Sequence, residues 1–196
     1  MSMNAAYDTF RIPANAEFYP TPAWATIALV ERVKFTGPIW EPAAGDGAIA
    51  DVLTQHGYEV LASDLYSYGN SSIQTGVDFL TTPKLKIGSV VTNPPFSLAE
   101  AFIQRSLHCA EHRVAMLLRL SFLQGVHRGR NLWRSTPLEQ VLVFSDSLSF
   151  DGNQKISFAW FIWRRGYRAK PTIGWINKAA VINRAMLRGG ACMEAA

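Results

Sequence analysis

Apolar residues fall along this chain in short runs parted by turn residues, and their spacing alternates between a strand period and a helix period. Trp24, Ile27, Ala28 and Val30 share one face of a predicted helix that stops before Gly37-Pro38. Thr21 is its expected N-cap and Pro22 its first residue. A short strand ends at Trp40-Glu41, and a helix over about Ala48 to His56 is closed by Gly57. A second strand, Glu59 to Ser63, ends at Asp64, and a short third ends near Asp78-Phe79. The fourth, Ser89-Val90-Val91-Thr92, runs into Asn93-Pro94-Pro95-Phe96. Ser97 and Glu100 then match an S-x-x-E capping box, opening a helix with Leu98, Phe102, Ser106 or Leu107, and Ala110 on one side. Val114 to Leu118, Val141 to Phe144 and Ile156 to Trp163 read as three more strands. Such alternation predicts a doubly wound α/β fold, its sheet mostly parallel and covered by helices on both faces.

In that architecture ligands sit at the carboxyl ends of the strands. Glu41, Asp64, Asp78 and Asn93 each fall at such an end. The stretch Glu41-Pro42-Ala43-Ala44-Gly45-Asp46-Gly47-Ala48-Ile49-Ala50 is a strand, a tight turn and a helix start. Gly45 and Gly47 let backbone approach a ligand where a side chain would collide. The stretch also fits G-x-G-x-x-A, a dinucleotide fingerprint, with Asp64 at a suitable distance, so an NAD dehydrogenase is one reading and a structural turn another. The acids Glu41 and Asp46 disfavour a pyrophosphate at this turn. They suit S-adenosylmethionine, which carries a sulfonium and an ammonium and no phosphate. Asp78-Phe79 adds an acceptor for an adenine amino group and a face for its ring.

Asn93-Pro94-Pro95-Phe96 is the most specific feature. An exocyclic amine is a poor nucleophile because its lone pair is delocalised into the ring. The Asn93 amide oxygen and the Pro94 carbonyl offer two acceptors that would draw it toward a tetrahedral shape. The prolines stiffen that carbonyl, and Phe96 offers a stacking face for a flipped base. The alternative is a strand-to-helix turn that merely uses Asn-Pro-Pro.

Together, the glycine turn, Asp64, Asp78-Phe79 and Asn93-Pro94-Pro95-Phe96 resemble the amino-methyltransferase branch of the class I S-adenosylmethionine-dependent methyltransferases, closest to the DNA adenine-N6 enzymes. The resemblance spans about Phe18 to Arg165 and implies a Rossmann-like seven-stranded sheet whose last strand is antiparallel, a place that Ile156 to Trp163 fits. It implies that Tyr19, Pro20 and Thr21, with Glu41, Pro42, Ala43, Gly45, Asp46 and Gly47, hold the methionine end of the donor. It assigns Asp64 to the ribose, Asp78 and Phe79 to the donor's adenine, and Asn93, Pro94, Pro95 and Phe96 to catalysis, with Asn93 also at the donor's edge. Many DNA enzymes of this family carry a large recognition domain, and none is expected within these 196 residues; the compact size resembles phage or prophage members. Methylation of RNA adenine or protein glutamine would use the same residues. A non-catalytic donor- or DNA-binding subunit of a modification system is a further alternative.

Charge bears on the partner. The chain of 196 residues has a net charge of +4, but residues 1–98 hold five Lys/Arg against nine Asp/Glu and residues 99–196 fourteen against six. The halves are thus about −4 and +8, and a basic half suits a phosphate backbone. Between Leu120 and Glu139 lie His127, Arg128, Arg130, Trp133 and Arg134 with no acid, which predicts a mobile loop facing nucleic acid, probed through Arg128, Arg130 and Arg134. The basic stretch from Arg164 to Arg188 is expected to assist. The expected layout is a flexible segment 1–17, a catalytic domain 18–170 and a basic extension 171–196.

An apolar share of 48% marks a globular chain, and its longest apolar run, Phe158 to Trp163, is too short to span a membrane. Two cysteines, Cys109 and Cys192, make no disulfide framework, and the start MSMNAAYDTFRIP lacks a signal-peptide order, so a cytoplasmic setting in a bacterial or phage-infected cell is expected. His56, His108, His112 and His127 lack metal spacing, and no metal is expected. Cys109, Trp160 and Trp163 read as packing residues. The expected partner is nucleic acid, with a homo-oligomer or a larger modification complex as possible settings.

Overall fold

The computed structural model describes residues 17–83, 85–148 and 156–187. The expected flexible segment 1–17 therefore lies, apart from Glu17, outside the described residues. Among the described residues seven strands form one sheet: β1 (Ile39–Glu41), β2 (Val60–Ala62), β3 (Ile87–Thr92), β4 (Ala110–Arg119), β5 (Leu138–Phe144), β6 (Phe158–Arg164) and β7 (Thr172–Ile176). Their order is β2-β1-β3-β4-β6-β5-β7. β6 runs antiparallel to both its neighbours and the other pairings are parallel. Among the described residues six helices accompany them: α1 (Ala23–Val30), α2 (Ala48–Gln55), α3 (Ala99–Cys109), α4 (Val126–Arg130), α5 (Leu132–Ser135) and α6 (Lys178–Leu187).

The period of two along the inner strands divides the core. Val91, Ala115, Leu117, Trp160 and Ile162 point to one face and pack with Trp24 and Leu29 of α1, Ile49 and Leu53 of α2, and Val181 of α6. Val90, Met116, Leu118, Phe161 and Trp163 point to the other and pack with Phe102 and Ile103 of α3, Phe79 and Leu132. All six residues of β3 are buried, with Ser89 and Thr92 as its polar members, as suits an inner strand covered on both faces. Trp160 is wholly buried because its Nε1 donates to the Ala25 carbonyl at 2.9 Å, tying β6 to α1. Trp163 and Cys109 are buried as well.

Four local readings change. The expected third strand is reduced to one bridge, Ser63 to Gln74, because residues 71–77 are mostly polar and bury only Ile73. The antiparallel strand is β6, as expected, but it is followed by β7, which pairs with β5 and brings the strand number to seven. Residues 172–187 of the expected extension thus supply a sheet strand and a packed helix. Thr21 does not cap α1; Pro22 stands at the N-cap, and the Thr21 hydroxyl turns to Asn93. The Ser97–Glu100 capping box does not form, since a 3-10 turn at Phe96–Leu98 intervenes before α3 and Glu100 pairs with Arg128 instead.

Candidate active site

The carboxyl ends of β1, β2 and β3 open on one cavity of about 260 Å³. Its wall includes Tyr19, Pro20, Thr21, Glu41, Pro42, Ala43, Gly45, Asp46, Asp64, Asp78, Phe79 and Asn93, so all but one of the residues expected around the donor meet there. Gly47 is the exception. It adopts φ 100° at the N-terminus of α2, and a Cβ there would lie 2.8 Å from the Asn70 amide nitrogen; its part is in the turn.

The turn is held from below. The Asp64 carboxylate accepts the Gly45 N–H at 2.8 Å and the Tyr66 N–H at 2.9 Å. Each of its oxygens keeps a second lone pair for a ligand. Burial raises the Asp64 pKa, and backbone hydrogen bonds from Tyr66, Gly45 and Leu65 oppose the rise. Glu41 is 1% exposed and its Oε2 has no hydrogen-bond partner. Burial pushes its carboxyl well above the usual range, and Asp64, Asp46 and Asp51 add to the effect against an opposing Ala50 backbone hydrogen bond. A buried acid with an unused lone pair beside three further carboxylates has the chemistry to receive a cation.

Asn93 follows β3 directly. Its Nδ2 donates to the Tyr19 carbonyl at 3.0 Å and to the Thr21 hydroxyl at 3.2 Å, which uses both amide protons. The Tyr19 carbonyl can only accept, so the amide cannot be turned the other way. Its Oδ1 is left buried and without a partner. Pro94 is buried, Pro95 lines the cavity, and Phe96 is half-buried with its ring 5.5 Å from those of Tyr19 and Phe158.

Two expected residues sit differently from a simple ligand wall. Asp78 holds its own turn, accepting from Leu80 N–H and the Thr81 hydroxyl at 2.9 Å each, one bond to each oxygen as at Asp64. Phe79 is a core residue at 2% exposure, packed between Trp40 and Phe102. The segment expected as a mobile loop is folded: a 3-10 turn at Leu120–Leu123, α4 and α5, anchored by buried Leu132 and by Trp133 against Phe122 and Phe161. Arg128 is tied to Glu100 at 3.3 Å and to the Phe122 and Gln124 carbonyls, whereas Arg130 and Arg134 are exposed.

Glu17 and Tyr68 line the cavity without having been expected there, whereas Phe18 belongs to the segment Phe18 to Pro22 that the resemblance places at the donor's methionine end. Glu17 reaches over and accepts the N–H groups of Phe96 at 2.7 Å and Ser97 at 3.3 Å. Phe18 covers Gly45 and stacks on Tyr68 at 4.2 Å. Burial, with Asp64 and Tyr66 nearby, raises the Tyr68 hydroxyl pKa to about 12. An acid directly before Phe18-Tyr19-Pro20-Thr21 was the available signal for Glu17.

The strand order, with one reversed strand next to the edge pair and the cavity at the carboxyl ends, decides the fold. The fold is that of the class I S-adenosylmethionine-dependent methyltransferases. No family model and no curated protein matches the chain. Among solved structures it is similar to a modification subunit of a putative type I restriction enzyme from Vibrio vulnificus, at TM-score 0.60 and 14% identity over 84% of this chain and 48% of that one. It is likewise similar to a type I restriction-modification methyltransferase subunit from Streptococcus thermophilus, at 0.60 and 14% over 96% and 54%. A putative RNA methyltransferase from Pyrococcus horikoshii matches at 0.60 and 13% over 79% and 90%. The chain thus spans about half the length of the modification subunits it resembles. Among the described residues no helix of this methyltransferase fold is long and apolar enough to cross a membrane.

Proposed function

We propose that the chain is an S-adenosylmethionine-dependent methyltransferase that methylates the exocyclic N6 amine of adenine in DNA. One observation carries the reading: the Asn93 amide is locked by its nitrogen, its oxygen is buried without a partner, and Asn93 lines the same cavity as Glu41. Leaving a buried acceptor unmade costs about 1–3 kcal/mol, which a bound amine proton would recover.

S-adenosylmethionine, the cofactor this fold implies, supplies a methyl group activated on a sulfonium. Glu41 suits its cationic amino-acid end, the Gly45 turn its close approach, and Asp64 its ribose hydroxyls. Asn93 Oδ1 and the Pro94 carbonyl accept the two protons of the target amine and free its lone pair. Phe96 stacks on the base. As the N–C bond forms, the methyl's bond to the donor sulfur would break and the donor would leave as a neutral thioether; no side chain is needed as a strong base, because the surplus proton on nitrogen then passes to solvent. The acid-rich turn remains unsuited to a pyrophosphate, which disfavours a dinucleotide.

The length match to the Pyrococcus protein makes RNA adenine the second reading. Incubation with labelled donor and separate DNA, RNA and protein pools, followed by nucleoside digestion, tests both. N6-methyladenine from DNA, lost in Asn93→Ala, is the expected result. Label confined to protein would overturn the proposal, and label confined to RNA would replace it with the second reading.

A further inference from the structure

Arg119 is the last residue of β4, paired across the ladder with Phe158. Its guanidinium carbon lies 4.7 Å from the centre of the Phe96 ring. Arg113, Arg128, Arg164 and Arg184 each lie against a glutamate. Arg119 is exposed and, among the described residues, has no such partner; the Phe96 ring is where its charge rests. An unpaired arginine laid on the one aromatic ring of the Asn-Pro-Pro-Phe turn is a flat cation beside the position where a base would stack.

We infer that Arg119 is a substrate-contact residue, and that its guanidinium and the Phe96 ring close on the two faces of the target purine. This rests on the reading of Asn93 as the holder of the amine. Guanidinium planes and aromatic rings both stack on bases. Admitting a base between them takes about one further stacking distance, roughly 3.4 Å. An exposed side chain at a strand end, without an ionic tether among the described residues, can open that far. The positive charge then lies beside the phosphates flanking the base, which favours a nucleic acid over a glutamine side chain.

The test compares the full-length wild type with Arg119→Ala and Arg119→Lys on unmethylated DNA and, in parallel, RNA. Donor affinity is measured by calorimetry in all three. Arg119→Ala is expected to lower kcat/KM for the nucleic acid by about fivefold to 150-fold, the range of one base stack, with donor Kd and Tm unchanged. Lysine restores charge without a plane, so it is expected to recover the salt dependence of KM but not kcat. Unchanged kcat/KM in Arg119→Ala, full rescue by lysine, or loss of donor binding would each overturn the inference while leaving the methyltransferase reading intact. A wild type that methylates neither nucleic acid overturns that reading and the inference with it.

Discussion

Glu41→Gln separates a donor-binding acid from a structural one. In the free protein the Glu41 carboxyl is buried, has one oxygen without a partner, and has its pKa raised by burial and by the nearby Asp64, Asp46 and Asp51. It therefore keeps its proton into a range where an exposed glutamate has ionised. A cation placed against it favours the charged form, so binding the donor below the raised pKa releases one proton. Linkage sets the limiting slope: donor Kd falls about tenfold per pH unit as pH rises, then levels once Glu41 is ionised in the free protein. Glu41→Gln removes that slope and binds more weakly at the upper end.

Stability moves in the opposite sense. A carboxyl whose folded pKa is raised contributes stability below its unfolded pKa, about 4.3, and loses it as pH rises through the folded value. The Gln variant lacks this loss, so its Tm advantage over wild type grows with pH. Calorimetry in two buffers of different ionisation heat, from about pH 5 to 7 and below the titration of the donor's own amino group, counts the proton. A wild-type Kd that is level across this window with no proton released would refute the assignment of Glu41.

Asn93→Ala is expected to reduce methyl transfer by about 10²–10³-fold, the cost of losing one preorganised polar group, with donor Kd within about threefold by calorimetry; comparable loss of donor affinity would show a structural role. Gly45→Ala places a Cβ 2.6 Å from Phe18 Cε2 at φ +57°. Left-handed strain of about 1–2 kcal/mol and up to about 1 kcal/mol from the disturbed Phe18–Tyr68 stack predict a lower Tm and a donor Kd raised at least tenfold. Glu17→Ala frees the Phe96 and Ser97 amides, and single-turnover rates should fall more than donor affinity; Glu17→Gln, which keeps one acceptor oxygen, should recover part of the rate.

The central elements were legible in the sequence because burial on both faces writes itself as an apolar run. Val90-Val91 and Val114 to Leu118 leave no other place for such residues than the middle of a sheet. The third strand failed because Asp78-Phe79 was read as a strand end, whereas Asp78 caps a turn with its own side chain and Phe79 packs sideways into the core. β7 was hidden because Ile173 and Trp175 are exposed at the sheet edge, so no buried pattern marks them. Helix starts were misplaced where a long-range partner outbid a local one: Thr21 and Glu100 have capping chemistry but spend it on Asn93 and Arg128.

The same competition governs the site. Residues within one turn, such as Glu41 to Gly47, could be read together because their spacing fixes their geometry. Glu17 could not, since nothing local says that its carboxylate meets amides 79 and 80 positions away. Yet that contact explains why the segment before α1 belongs to the site at all. Over five residues it offers a carboxylate to Phe96 and Ser97, a ring over Gly45, and a carbonyl and a hydroxyl to Asn93. The glycine turn and the Asn-Pro-Pro-Phe turn end neighbouring strands, and this segment is bonded to one while covering the other. A ligand that displaces Phe18 is therefore expected to disturb the hydrogen bonds that hold Asn93, so that the two turns respond together.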